Sequence, residues 1–147
     1  MARIISLIFT ILALALPAFA ADLTGEVIHV QDGDTITVRL AESGVHEKVR
    51  IIGVDTPELR GKCGEKEKAI AARDYVSGLV LGKTVTLRLD DANKTLGHRD
   101  KYWRLLAHVV LSDGSQLAEK LIAGGYGEPY LLYGFDPELQ KRYLEAR

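Results

Sequence analysis

A single cysteine, Cys63, occurs among the 147 residues of the chain, and that scarcity excludes an internal disulfide. Charge of one sign is not in surplus either: 19 basic residues stand against 20 acidic ones, for a formal net charge of −1. A chain so balanced is not held on a polyanion by its overall field, so any grip on nucleic acid must come from a local patch of cations. The histidines His29, His46, His98 and His108 are scattered without metal-ligand spacing, and read as surface or half-buried residues. No internal repeat and no linker divides the chain, which argues for one domain.

What is present begins with an apolar run. Arg3 supplies a short positive start, Ile4 to Leu16 is interrupted only by Ser6 and Thr10, and Ala18-Phe19-Ala20 has the small-residue pattern of a cleavage site. The run is too short for a confident membrane span. Residues 1–20 are therefore expected to be a signal peptide and residues 21–147 the domain, in a protein that is secreted or periplasmic. No cysteine directly follows the run, so a lipid-anchored cysteine is not expected. The remaining 127 residues (147 less 20) carry 18 basic and 20 acidic side chains, a balance of −2, and suffice for one core.

The centre of the chain is Val49-Arg50-Ile51-Ile52-Gly53-Val54-Asp55-Thr56-Pro57-Glu58. Ile51, Ile52 and Val54 suit a buried strand, and Pro57 ends it because proline cannot donate a ladder hydrogen bond. Asp55 and Glu58 thus sit where a rigid element stops. A second acidic turn, Asp32-Gly33-Asp34-Thr35, joins two alternating segments, and Asp-Gly in that setting is a strong hairpin signal. If the strands share a sheet, Asp34 and Asp55 converge at one rim. Two carboxylates on one rim repel unless a cation lies between them, and oxygen donors of this kind suit a hard divalent ion, calcium above all. Arg50 and Arg104 remain as cations for a phosphate.

Elsewhere the pattern predicts a hairpin over Leu23 to Leu40, a longer loop over Ala41 to Lys48, a helix from Glu65 to Leu81 and a fourth strand from Thr84 to Leu89. Asp90 to Lys101 reads as a polar, mobile loop and Tyr102 to Leu111 as a further strand. Ser115 to Ala123 carries helical spacing, Tyr126 to Phe135 reads as an aromatic loop, and Asp136-Pro137 starts a helix over Glu138 to Arg147. That helix reaches Arg147 without a cap, so the natural chain is expected to extend further. Five strands with a helix after the third make an α+β, mainly β fold: an OB-fold Greek-key barrel with about three helices. Arg60 to Lys68 reads as a solvated charged face, Cys63 as a passive loop thiol, and Tyr126, Tyr130 and Tyr133 first as packing aromatics.

Asp32-Gly33-Asp34-Thr35, Arg50 five residues before Asp55-Thr56-Pro57-Glu58, Asp100-Lys101-Tyr102 with Arg104 beyond it, and a helix leading into Gly125-Tyr126 together resemble the staphylococcal nuclease (thermonuclease) family. Order, spacing and element type agree over essentially the whole chain after residue 20. The resemblance implies an OB barrel and calcium-dependent hydrolysis of DNA and RNA phosphodiesters to products ending in a 3′-phosphate. A single-stranded substrate and a monomeric protein are expected with it. It implies that Asp34 and Asp55 bind Ca2+ through carboxylates and Thr56 through its backbone carbonyl. Glu58 would hold or deprotonate the attacking water, and Arg50 and Arg104 would grip the scissile phosphate. Lys101, Tyr102, Tyr130 and Tyr133 would contact the nucleotide. Noncatalytic nucleic-acid- or protein-binding modules of the same family typically lose the acidic and arginine residues, which are kept here. One departure stands out. The family usually has glycine before the second arginine, where this chain has Trp103, whose indole is free to redirect Arg104, face the core or offer a stacking surface.

Overall fold

The computed structural model describes residues 22–60 and 65–147. The expected signal peptide over 1–20 and the loop thiol of Cys63 lie outside the described residues. The strands are β1 (Leu23–Asp32), β2 (Thr35–Leu40), β3 (His46–Ile51), β4 (Gly53–Asp55), β5 (Thr84–Arg88), β6 (Leu105–Val110) and β7 (Glu128–Tyr130). The helices are α1 (Glu65–Val80), α2 (Leu117–Ala123) and α3 (Pro137–Glu145), with a 3-10 turn over Asp91–Leu96.

Alternation in β1, β2 and β5 turns one face of each strand inward: Val27, Ile36, Val38, Val85 and Leu87 are buried. Five strands close into a barrel in the order β1-β2-β3-β6-β5. The β1–β2, β2–β3, β5–β6 and β1–β5 pairs are antiparallel, and β3 against β6 is the one parallel seam of the barrel. Closure pairs every strand of the barrel on both sides. Helix α1 packs against β1 and buries Ala69, Ala72, Val76 and Val80.

The central strand is not continuous. It breaks at Ile52 because Gly53 takes a φ of +88°, and a Cβ there would lie 2.5 Å from Tyr143 Cε2. Only glycine fits both the left-handed backbone and the ring packed on it. The chain then restarts as β4, which pairs with β7. Strand β7 falls in the stretch expected to be a loop; at three residues with Pro129 in the middle, it has no readable period. The polar segment after β5 is also more ordered than its composition suggests. Asp90 caps its 3-10 turn, and the buried Asn93 donates from Nδ2 to Gly134 O at 2.9 Å. His108, expected at or near the surface, is buried in β6 with Nε2 3.2 Å from Asp90 Oδ2. Strand β6 begins at Leu105 rather than Tyr102, because residues 100–104 form a tight turn.

Candidate functional site

The two acidic motifs are tied together by backbone as well as by side chains. Asp34 is buried, and its Oδ2 accepts from the Thr56 N–H at 2.9 Å and from the Thr56 hydroxyl at 3.1 Å. Its Oδ1 accepts from the Thr35 hydroxyl at 3.0 Å. This approach needs Gly33: a Cβ at that position would stand 2.7 Å from Thr56 Cγ2 and 2.9 Å from Ala72 Cβ. The turn between β1 and β2 can therefore sit against the exit of β4 only without a side chain.

Arg50 is placed by register, opposite Thr35 on β2 and Leu106 on β6. Its Nη1 donates to the carbonyls of Ile51 at 2.6 Å and Val54 at 2.7 Å, which holds the reversal at Gly53 closed. Its Nη2 donates to Asp55 Oδ1 at 3.0 Å and lies 3.6 Å from Asp34 Oδ2. The guanidinium is nearly fully buried, a placement that is costly unless every N–H finds an acceptor or a carboxylate. Tyr130 covers it, with 5.5 Å between the guanidinium carbon and the ring centroid.

Arg104 is held by the turn before it. The Trp103 N–H donates to Asp100 O at 2.9 Å and the Asp100 N–H to Arg104 O at 3.1 Å, closing a short loop whose last residue, Trp103, has a φ of 68°. That is the hairpin form in which the left-handed position is ordinarily glycine. The Asp100 carboxylate is fully buried and accepts from the N–H groups of Tyr102 and Arg104, both at 2.9 Å, and from Arg104 Nε at 2.7 Å. Arg104 Nη1 then donates to Thr35 Oγ1 at 3.0 Å. One hydrogen-bonded chain thus runs from Asp100 through Arg104, Thr35 and Asp34 to Thr56. Trp103 does not enter the core, its residue surface being 78% exposed, and Arg104 lines the cleft.

All ten residues singled out from the sequence line a single cleft of about 220 Å³, together with Asp32 and Leu132. A larger groove of about 700 Å³ adjoins it and shares Asp55, Thr56 and Glu58. Negative charge is crowded here. Burial, then the Asp34 charge, push the Asp55 carboxyl above its ordinary range, and Arg50 offsets this only in part. Burial and Asp34 raise Asp32 in the same way. Like charges this close make each carboxylate harder to ionise, and a cation between them would relieve it. Among the described residues no group of three or more His, Cys, Asp or Glu side chains is placed to hold a metal ion. A hard cation at this rim would have two carboxylates, a carbonyl and water as its donors, a set compatible with calcium.

Asp100 stands in the sequence as part of a motif with no role of its own, yet it aims Arg104, as its buried carboxylate and three donors reveal. Asp32, a turn residue by sequence, and Leu132, to which the sequence assigns no role, both line the cleft. Their turn and loop composition carried no signal of it.

A closed five-stranded Greek-key barrel with this cleft at its rim is a protein of the OB-fold class. The chain belongs to the staphylococcal nuclease family: the family described as staphylococcal nuclease homologue matches residues 48–147. It is similar to an uncharacterized endonuclease of Escherichia coli O157:H7, with 34% identity over 131 residues, 89% of this chain and 76% of that protein. It is similar also to the thermonuclease of Staphylococcus intermedius, at 37% over 98 residues, 64% of this chain and 54% of that one. The thermonuclease of Staphylococcus hyicus matches at 35% over 107 residues, 72% and 59% of the respective chains.

Proposed function

We propose that the protein is an exported, monomeric, calcium-dependent nuclease that hydrolyses DNA and RNA phosphodiesters, preferably single-stranded, to products with 3′-phosphate ends. The observation that carries this reading is the meeting of Asp34, Asp55, Glu58, Arg50 and Arg104 in one cleft. Its relatives named endonuclease and thermonuclease support the reaction class. Export rests on residues 1–20, and no helix among the described residues is long and apolar enough to cross a membrane.

Asp34 and Asp55, with the Thr56 carbonyl, would hold calcium, which supplies positive charge against the phosphate oxygens as negative charge accumulates on them. The chain's own groups do the rest. Glu58 is exposed at the cleft and, among the described residues, its carboxylate has no hydrogen-bond donor. It is free to orient a water and take its proton, a contribution on the order of 10²–10⁴-fold. Arg104 has Nε and Nη1 engaged and, among the described residues, no partner at Nη2, which would take the phosphate, while Arg50 lines the same cleft beside Asp55. As the water oxygen bonds to phosphorus, the bond from phosphorus to the 5′-oxygen breaks, and that oxygen leaves as a hydroxyl after taking a proton from solvent. Donors fixed before the reaction stabilise the extra charge without reorganising.

The test is incubation with single-stranded DNA and with RNA in calcium, magnesium or chelator, followed by identification of the 3′ ends. Cleavage in calcium that stops in chelator and leaves 3′-phosphates is expected. Intact substrate in every condition, with binding retained, would replace this reading by that of a noncatalytic binding module.

A further inference from the structure

Trp103 combines two features that folding alone does not ask for. It occupies a left-handed position, φ 68°, where L side chains are disfavoured, and it leaves its indole 78% exposed. Its backbone is nonetheless well held: its N–H donates to Asp100 O, and its carbonyl accepts from Arg99 Nη1 at 3.2 Å. It stands between Tyr102 and Arg104, both of which line the cleft. The neighbouring ring is already occupied, because Lys101 Nζ lies 5.0 Å and the Arg104 guanidinium 5.4 Å from the centroid of Tyr102. Among the described residues Trp103 enters no aromatic pair and no cation–π contact, so its indole faces are open.

We infer that Trp103 is a base-stacking subsite for single-stranded nucleic acid, taking the base of a nucleotide next to the phosphate held at Arg104. The occupant follows from the chain on either side of Trp103. Lys101 and Arg104, cations that line the cleft, precede and follow it in the sequence, and an exposed indole with cations close by in the chain is the pairing that binds unpaired strands, base on ring and phosphate on cation. A duplex, with its bases stacked inside, could not offer the base. The subsite therefore favours unpaired strands. It rests on the proposed function for the position of the phosphate, but not on any turnover.

Trp103 is the only tryptophan beside six tyrosines, so indole emission excited at wavelengths that tyrosine does not absorb reports on it alone. In a Glu58→Ala background, to keep substrate intact, oligothymidylate about ten nucleotides long is titrated against an abasic oligomer of equal length. Oligothymidylate is expected to quench the indole emission and the abasic oligomer to leave it nearly unchanged. By anisotropy of a labelled oligothymidylate, Trp103→Gly should weaken binding about 5- to 100-fold, while Trp103→Phe keeps most of the affinity. Glycine suits the backbone of this turn, so a loss of affinity there is not a loss of fold. Equal quenching by both oligomers, or undiminished binding by Trp103→Gly, would overturn the inference. Base-dependent quenching by a protein that never cleaves would sink the nuclease reading and leave the subsite standing; cleavage without base-dependent quenching would do the reverse.

Discussion

Asp100 is the residue through which the turn and Arg104 stand or fall. Its buried carboxylate accepts two backbone N–H bonds and one from Arg104 Nε. Asp100→Ala leaves all three donors without a partner. Each such loss costs about 1–3 kcal/mol when water cannot replace it, and the partly exposed Arg104 recovers some hydration, so roughly 3 kcal/mol of stability should go. Asp100→Asn can keep the two backbone bonds through its carbonyl oxygen but sets an amide against Nε, for a loss of about 1–2 kcal/mol. The functional cost should exceed the structural one in both. An Arg104 no longer aimed at the cleft amounts to a misplacement of about 1 Å, and turnover should fall on the order of 10²-fold. Urea unfolding gives the stabilities, and cleavage of single-stranded DNA in saturating calcium gives the rates. If Asp100→Ala fails to fold, Asp100→Asn still decides the question. Wild-type stability and rate in both variants would refute the role assigned to this carboxylate.

Trp103→Gly should raise stability, because a left-handed tryptophan costs about 1–2 kcal/mol and glycine's extra unfolded-state freedom returns only part of that. A gain of about 0.5–1 kcal/mol, or a few degrees in Tm, is expected by calorimetry. Gly33→Ala should act oppositely, driving the β1–β2 turn away from Thr56; about 2 kcal/mol of stability and a marked loss of calcium-dependent turnover are expected. Asp90 gives a pH signature away from the cleft. Burial alone would raise its carboxyl, but hydrogen bonds from His108, the Ala92 N–H and the Asp136 N–H hold it below its ordinary range. A depressed folded value contributes stability above the unfolded pKa of about 3.9, lost as pH falls through the folded value. Asp90→Asn should therefore be less stable than wild type near neutrality, with the gap closing below about pH 4 in urea titrations.

The barrel was largely legible because its signals are local. Alternation marks β1, β2 and β5, and Asp-Gly marks the first hairpin. The ten candidate residues share one cleft because their motifs sit at strand ends and turns, where barrel closure brings loops together. What escaped depends on contacts remote in sequence. The break at Gly53 is imposed by Tyr143, β7 exists only as a partner for β4, and His108 is buried because Asp90 and Phe135 come to meet it. The fixed aim of Arg104 was hidden for another reason: Asp100 looks like any turn aspartate until its three donors are seen.

The most direct measurement is single-turnover cleavage of single-stranded DNA in saturating calcium by wild type, Glu58→Ala and Arg50→Ala, with binding measured alongside. The cleft as the seat of hydrolysis predicts that each variant still binds DNA and cleaves on the order of 10²–10⁴ times more slowly. Variants that cleave at the wild-type rate would contradict it.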